Sequence, residues 1–187
     1  HLGCQDGLDR PSLSRLLGSV LNELILSREE AFKFNGRSRR PPCDPVNAML
    51  SLFYTMLSLD CSSALRGAGL DPYIGFMHTE RPGRRSLALD CMEELRPVLV
   101  DRFVLTCINN HMVKPRHFIE HESGEVRLTD EGRKVLFDAW QTKKRDTVMH
   151  PYLHEKMPWG LIPFVQAQLL AQAVRGDIDG YPPFMWK

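Results

Sequence analysis

CDPVNAMLSLFYTMLSLDCSSALRGAG, residues 43–69, is the stretch on which the fold class turns. Asp44 followed by Pro45 reads as a helix start. A short acceptor side chain takes the N-cap, and the next residue has a φ already set for a helix and no N–H to leave orphaned. Val46, Met49, Leu50, Leu52, Phe53, Met56 and Leu57 then cover most of the helix circumference, so the spacing predicts a central helix rather than one lying at a surface. Gly67 and Gly69 stop a short helix after it.

Working outward, FKFNGRSRRPP (32–42) is polar, carries Arg37, Arg39 and Arg40, and ends in two prolines, as a surface connection does. Before it, LSRLLGSVLNELIL (13–26) keeps its leucines, Val20 and Ile25 on one face, so an amphipathic helix is expected from Ser12 or Ser14. Residues 1–12 have no periodicity and read as an irregular leader. Downstream, a helix of roughly 24 residues is expected from Ser86, capped by that serine, running to Ile108 and kinked at Pro97. Ser123-Gly124 sits between short β-favouring segments and predicts one small hairpin over about 119–128. A helix capped by Thr129 or Asp130 follows to about Lys144. A last helix is closed by Gly176, and YPPFMWK (181–187) is extended. The expected fold is all-α, one multi-helix domain over 1–187 with one hairpin. No strand–helix alternation and no glycine-rich phosphate loop is present, which excludes a nucleotide-binding sheet.

Composition narrows the partners. With 24 Lys plus Arg against 23 Asp plus Glu the formal charge is +1, so an anionic partner must be met by local clusters, not by a basic coat. Five cysteines without a C-x-x-C pair argue against a disulfide framework or a zinc ribbon, and are expected to be reduced, core-facing thiols. No run reaches ~18 apolar residues, and the chain is expected to be cytoplasmic, with no membrane role.

The chemistry is concentrated in GFMHTERPGRRSLALDCMEELR (75–96). At about 100 degrees per residue, Asp90, Glu93, Glu94 and Asp101 share one helix edge, opposite Cys91, Met92, Leu95, Val98 and Leu99. That edge reads either as a solvated acidic face or as carboxylates converging on a hard cation. The turn around Pro82-Gly83 favours a reversal, and His78 would complete a mixed histidine–carboxylate set if the chain returned over the edge. Such a set suits Mg²⁺ or Mn²⁺, and the arginines at 81, 84, 85, 37, 39 and 40, with Lys143, Lys144 and Arg145, could offer phosphate footholds. His150 and His154 lack a third ligand for zinc. His117 and His121, flanking the hairpin, are expected to be exposed. Trp140, Trp159 and Trp186 read as packing anchors, although YPPFMWK could lie in a groove of a partner subunit.

The words GRSRRPPCDPVNAMLSLFYTML, SALRGAGLDPYIGFMHTERPGRRSLALDCMEELRPVLVDR and GDIDGYPPFMWK closely resemble one family, the CRISPR-associated adaptation integrase, a metal-dependent nuclease of spacer acquisition; the closing words look like its subtype I-C branch. The resemblance implies the family's all-helical catalytic domain, without the N-terminal β-domain through which the family dimerises. It implies Mg²⁺ or Mn²⁺ as cofactor, and DNA as substrate, both protospacer and repeat array. A small ferredoxin-like adaptation subunit is implied as partner. By the same resemblance His78 and Glu93 match metal ligands, with Asp90 at a further acidic position, and Arg84, Arg85, Arg96, Arg39 and Arg40 would contact DNA. The family's first-helix glutamate, in a Gly-x-Glu-Gly word, is not matched by GCQDGLDRPSLSR (3–15), where Asp6 and Asp9 are the carboxylates that could replace it. Two other readings stay open: a catalytically incomplete DNA-binding or assembly fragment of the same family, and a helical interaction domain with no nucleic-acid role.

Overall fold

The computed structural model describes residues 20–27, 29–34, 36–38, 41–77 and 83–185. The leader with Asp6 and Asp9, most of the first expected helix, and Arg39, Arg40, His78, Arg81 and Trp186 lie outside the described residues; of that first helix, 20–24 is helical. In chain order the elements are α1 (Pro45–Gly67), α2 (Ser86–Glu93), a π-helical segment (Arg96–Asp101), α3 (Arg102–Asn109), β1 (Phe118–Glu120), β2 (Val126–Leu128), α4 (Asp130–Arg145), β3 (Thr147–Met149), β4 (Lys156–Pro158) and α5 (Ile162–Arg175). The chain divides into two compact units, His1–Ser51 with Val104–Leu136 and Leu52–Phe103 with Phe137–Lys187.

In the first unit the expected cap is in place: Asp44 accepts the Asn47 N–H at 2.7 Å. Asn47, fully buried, ties the connection before it to the helix, since its amide donates to the Gly36 carbonyl and its Oδ1 accepts from Arg37 at 2.6 Å. Arg37 also donates to Ser51, so one of the expected phosphate footholds is spent on holding the loop. The hairpin pairs Phe118 with Leu128 and Glu120 with Val126, and Phe32 packs edge-on against Phe118. His117, expected outside, is 3% exposed. The reason is Gly132 in α4: a Cβ there would sit 2.6 Å from the His117 carbonyl oxygen, so the glycine lets this backbone approach the helix closely. Thr129 caps α4, its Oγ accepting from the Gly132 N–H at 3.0 Å.

The second unit is built on an aromatic cluster in which Phe53, Phe103 and Trp140 lie with ring centroids 4.8 to 5.0 Å apart. Lys144 adds an ion pair to Asp60 at 2.8 Å. Four expectations are corrected here. α1 runs unbroken to Gly67 in place of two helices, because the residues through Leu65 keep an inward apolar face. A second antiparallel pair, β3 with β4, joins the expected hairpin, so two strand pairs are present among the described residues. Ser86 is the first residue of α2 and caps nothing; the Pro72 carbonyl takes the Leu87 and Ala88 N–H groups at 3.0 and 3.3 Å, doing the work of a capping side chain. Cys43, expected in the core, is exposed, while Cys61 and Cys107 are buried. α1 is long and apolar enough to cross a membrane by length and composition, but half of its most apolar window is buried inside the fold, where a core helix passes the same test.

Candidate active site

The helical run from 86 to 109 is not one α-helix. It closes its first part at Glu93, turns through Glu94 and Leu95, and continues as a π-helix with Pro97 near its start before α3 begins. The expected kink at Pro97 is therefore a change of helical type. π segments are rare and mark functional or strained places. The change alters which side chains share an edge, and the four carboxylates of the run go to four different partners.

Asp90 points inward and is 3% exposed. Its Oδ2 accepts the backbone N–H groups of Phe76 and Met77 at 2.7 and 3.0 Å. Gly75 is what allows the approach, because a Cβ there would lie 2.9 Å from Asp90 Oδ2 and 2.6 Å from Ser86 Cβ. The segment that enters His78 in the sequence is thus fastened to the helix that carries Glu93. Glu93, with a side chain 38% exposed, meets the Nη1 of Arg96 through both carboxylate oxygens at 2.7 and 2.8 Å. The Arg96 guanidinium lies over the Tyr54 ring, 4.5 Å from its centroid, and the Tyr54 hydroxyl donates to Asp101. Glu94 turns to α5 and the C-terminal tail, where Gln166 of the helix and the Tyr181 hydroxyl and Phe184 N–H of the tail donate to it. The tail therefore docks on its own chain through Tyr181 and the buried Phe184.

Arg84 and Arg85 lie half-buried at the mouth of α2, with Arg85 at its N-cap. A hydrogen bond from Arg85 to the exposed Tyr73, together with the Arg85 charge and the nearby Arg66, lowers the phenol's pKa. This is a surface with positive character beside exposed Ile74, Phe76 and Met77. Burial first, then the charges of Glu94 and Asp90, push the Cys91 thiol up to about 12, so no thiolate nucleophile is available beside the acids.

Among the described residues no three His, Cys, Asp or Glu side chains converge as a metal group. The donor chemistry nonetheless separates the two acids. Asp90 has committed an oxygen to two backbone donors at 3% exposure, whereas the Glu93 side chain is 38% exposed and meets Arg96. Carboxylate oxygens suit a hard divalent cation, and by exposure Glu93 offers them better than the buried Asp90. His150, the other histidine weighed for metal, is fully buried: its Nδ1 accepts the Tyr152 and Leu153 N–H groups, and its Nε2 meets Gln166 Oε1 at 3.0 Å.

A family model described as CRISPR associated protein Cas1 matches residues 16–142. The chain belongs to the Cas1 family. It is 54% identical over 168 residues to a CRISPR-associated endonuclease Cas1 of Rhodospirillum rubrum, covering 90% of this chain and 49% of that protein. A Cas1 endonuclease of Chlorobaculum tepidum is 49% identical over 169 residues, with the same coverage of 90% and 49%. The chain spans about half the length of these curated relatives. Among solved structures, a Cas1 protein from Thermotoga maritima superposes with a TM-score of 0.75 at 28% identity, over 87% of this chain and 49% of that one. A casposase bound to integration product gives 0.81 at 23% identity, over 94% and 50%, which shows a shared fold. A Cas6-RT-Cas1–Cas2 complex gives 0.76 at 26% identity, over 94% and 19%.

The sequence named Asp90, Glu93, Arg84, Arg85 and Arg96 as site residues. The structure brings Glu93 and Arg96 together, places Arg84 and Arg85 at the start of the same helix run, and sends Asp90 to the 75–77 backbone. The sequence assigned no role to Gly75, although it opens this stretch, and none to Gln166. Gly75 carried a signal in hindsight, a glycine between apolar residues one turn from a histidine, but its reason, the approach to Ser86, is a tertiary one.

Proposed function

We propose that this chain is the helical catalytic domain of a metal-dependent DNA integrase and endonuclease of CRISPR spacer acquisition, in the subtype I-C branch, which cuts and joins DNA phosphodiesters. The observation that carries the reading is Glu93, an accessible carboxylate on a helix to which Asp90 fastens the segment leading to His78, within a chain of the Cas1 family. His78 and Glu93 would hold Mg²⁺ or Mn²⁺, which polarises the scissile phosphoryl oxygen and favours ionisation of the attacking hydroxyl. Asp90 supports by fixing backbone. Arg96, held against Glu93 and stacked on Tyr54, keeps that carboxylate oriented and contributes positive charge where the phosphorane develops its own negative charge. Arg84 and Arg85 would meet phosphates flanking the scissile bond, as a planar guanidinium does best.

DNA of the protospacer and of the repeat array is the proposed substrate, and the small ferredoxin-like adaptation subunit the proposed partner. The casposase that shares this fold is bound to an integration product, and a complex that brings Cas1 together with Cas2 contains a chain similar to this one, which supports these choices. The proposed compartment is the cytoplasm, and the full-length assembly a homodimer.

The test is cleavage of branched and single-stranded DNA with Mn²⁺. His78→Ala and Glu93→Gln are each expected to reduce the rate by about 100-fold or more while DNA binding persists. An unmodified chain that binds DNA in a salt-sensitive manner but cuts nothing would replace this reading by the incomplete-fragment one. Loss of DNA binding even at low salt would leave only a helical interaction domain.

A further inference from the structure

The turn after Glu93 is held from outside its own helix. Glu94 accepts three hydrogen bonds: the Tyr181 hydroxyl and Gln166 Nε2 (2.9 Å) on Oε1, and the Phe184 backbone N–H (2.7 Å) on Oε2. Gln166 is 2% exposed, donates also toward the Tyr181 oxygen at 2.7 Å, and is itself steadied by His150. Phe184 is 2% exposed and packs on the His150 and Trp159 rings, with centroids 5.4 and 5.7 Å away. Residues 181–185 have no helix or strand of their own, so this carboxylate and this aromatic socket are what dock them.

The position matters because the change from α to π helix passes through Glu94. The Leu95 N–H returns to the Met92 carbonyl at 3.1 Å, and the π segment starts at Arg96. Neighbouring side chains leave a helix about 100 degrees apart, so anchoring Glu94 toward the tail sets the direction in which Glu93 leaves, and the π segment sets where Arg96 meets it. A half-buried carboxylate stripped of three donors loses more than an exposed one, which keeps the tail in place.

We infer that Glu94, Tyr181 and Gln166 are positioning residues for Glu93, and that the C-terminal tail is thereby part of the active-site assembly. This rests on the reading of Glu93 as a metal-holding carboxylate. Tyr181→Phe removes one hydroxyl and keeps the ring; Glu94→Gln keeps the shape and removes the charge. In the full chain both are expected to weaken Mn²⁺ binding, read from the free-ion signal in electron paramagnetic resonance, by about 10-fold or more. Both should also lower kcat for DNA cleavage by about 10- to 100-fold, with KM for DNA within about twofold of the parent. Combined with Glu93→Gln, Tyr181→Phe should have no further effect on Mn²⁺ affinity, since its route is gone. Mn²⁺ binding and kcat at parental values in both variants, with only a lowered melting midpoint, would reduce the tail contact to a structural one and overturn the inference. Should Glu93→Gln itself leave Mn²⁺ binding and cleavage intact, the reading of Glu93 fails and the inference falls with it. That outcome is distinguishable, because the positioning inference can fail by itself only where Glu93→Gln is inactive.

Discussion

Gly75 has room for a hydrogen and nothing more. A methyl group there would meet Ser86 Cβ at 2.6 Å and Asp90 Oδ2 at 2.9 Å, and the first contact is with a helix that cannot shift without moving its packing. Gly75→Ala is therefore expected to cost about 1–3 kcal/mol in urea unfolding, as overpacking does, and to lower cleavage as well, because the displaced backbone carries the Phe76 and Met77 N–H groups off Asp90. Unfolding at parental midpoint would show that the 75–77 segment moves away freely. The thiols offer a second check at this scale. Burial pushes Cys91 and Cys107 up to about 12 and raises Cys61 well above its ordinary value, while Cys43 is exposed. At pH 8 a disulfide reagent should label Cys43 in seconds to minutes and reach Cys61 and Cys107 only after denaturant is added. Rapid labelling of Cys61 or Cys107 in the folded chain would contradict their burial. Asp90 and Glu93 were legible in the sequence as carboxylates of one helix, but not the turn that takes Glu94 out of it nor the separate duties of the three. Their partners come from 75–77, from 96 across a helix-type change, and from 166, 181 and 184, and a wheel of constant period carries no information about any of these.

Elements whose signals are local were read correctly from sequence. Asp44 and Thr129 cap with their own side chains, and Gly176 closes α5 with φ of +79°, a conformation that favours glycine. Ser86 misled because the orphan N–H groups of α2 are met by the Pro72 carbonyl, a partner fourteen residues back. The β3–β4 pair went unseen because each strand is three residues long and the left-handed position in its turn is held by His154, with φ of +56°, where a glycine or asparagine would have announced it. That turn also closes over His150. Burial lowers its pKa, outweighing the opposing hydrogen bond to Gln166 and the Glu94 charge, and the two N–H groups on Nδ1 leave no lone pair for a proton. The sign follows from linkage: below about pH 6.5 the unfolded chain takes up a proton here that the folded chain refuses, so stability declines as pH falls. Above that pH both states are neutral at this site and it contributes no slope. Unfolding free energies at pH 7.5 and 5.5 should therefore differ more in the parent than in His150→Gln, whatever that variant's absolute stability. Equal differences would remove His150 from the pH dependence.

At the scale of the whole molecule, the charge balance constrains how DNA can be held. A chain with formal charge +1 has no diffuse attraction for a polyanion, so binding must come from a few placed guanidinium groups, each releasing counterions where it meets a phosphate. Several of the basic residues that the sequence offered are already engaged inside the fold: Arg37 with Asn47 and Ser51, Arg96 with Glu93, and Lys144 with Asp60. Arg84 and Arg85 differ in standing at the start of α2, close to the exposed apolar side chains of Ile74, Phe76 and Met77, a combination suited to phosphates beside unstacked bases. If they serve as phosphate contacts, the double variant Arg84→Ala/Arg85→Ala should weaken binding of a short DNA duplex in a manner nearly independent of its sequence. The slope of log K against log salt should fall by about 2, one unit per contact. The variant should melt close to the parent, since neither side chain is in the core, apart from what the Arg85–Tyr73 hydrogen bond contributes. The slope decides between the readings where affinity alone cannot. A weakened complex with an unchanged slope would mean that these arginines shape the 73–77 segment, and the electrostatic contacts with DNA would then have to be sought on other basic residues of the chain.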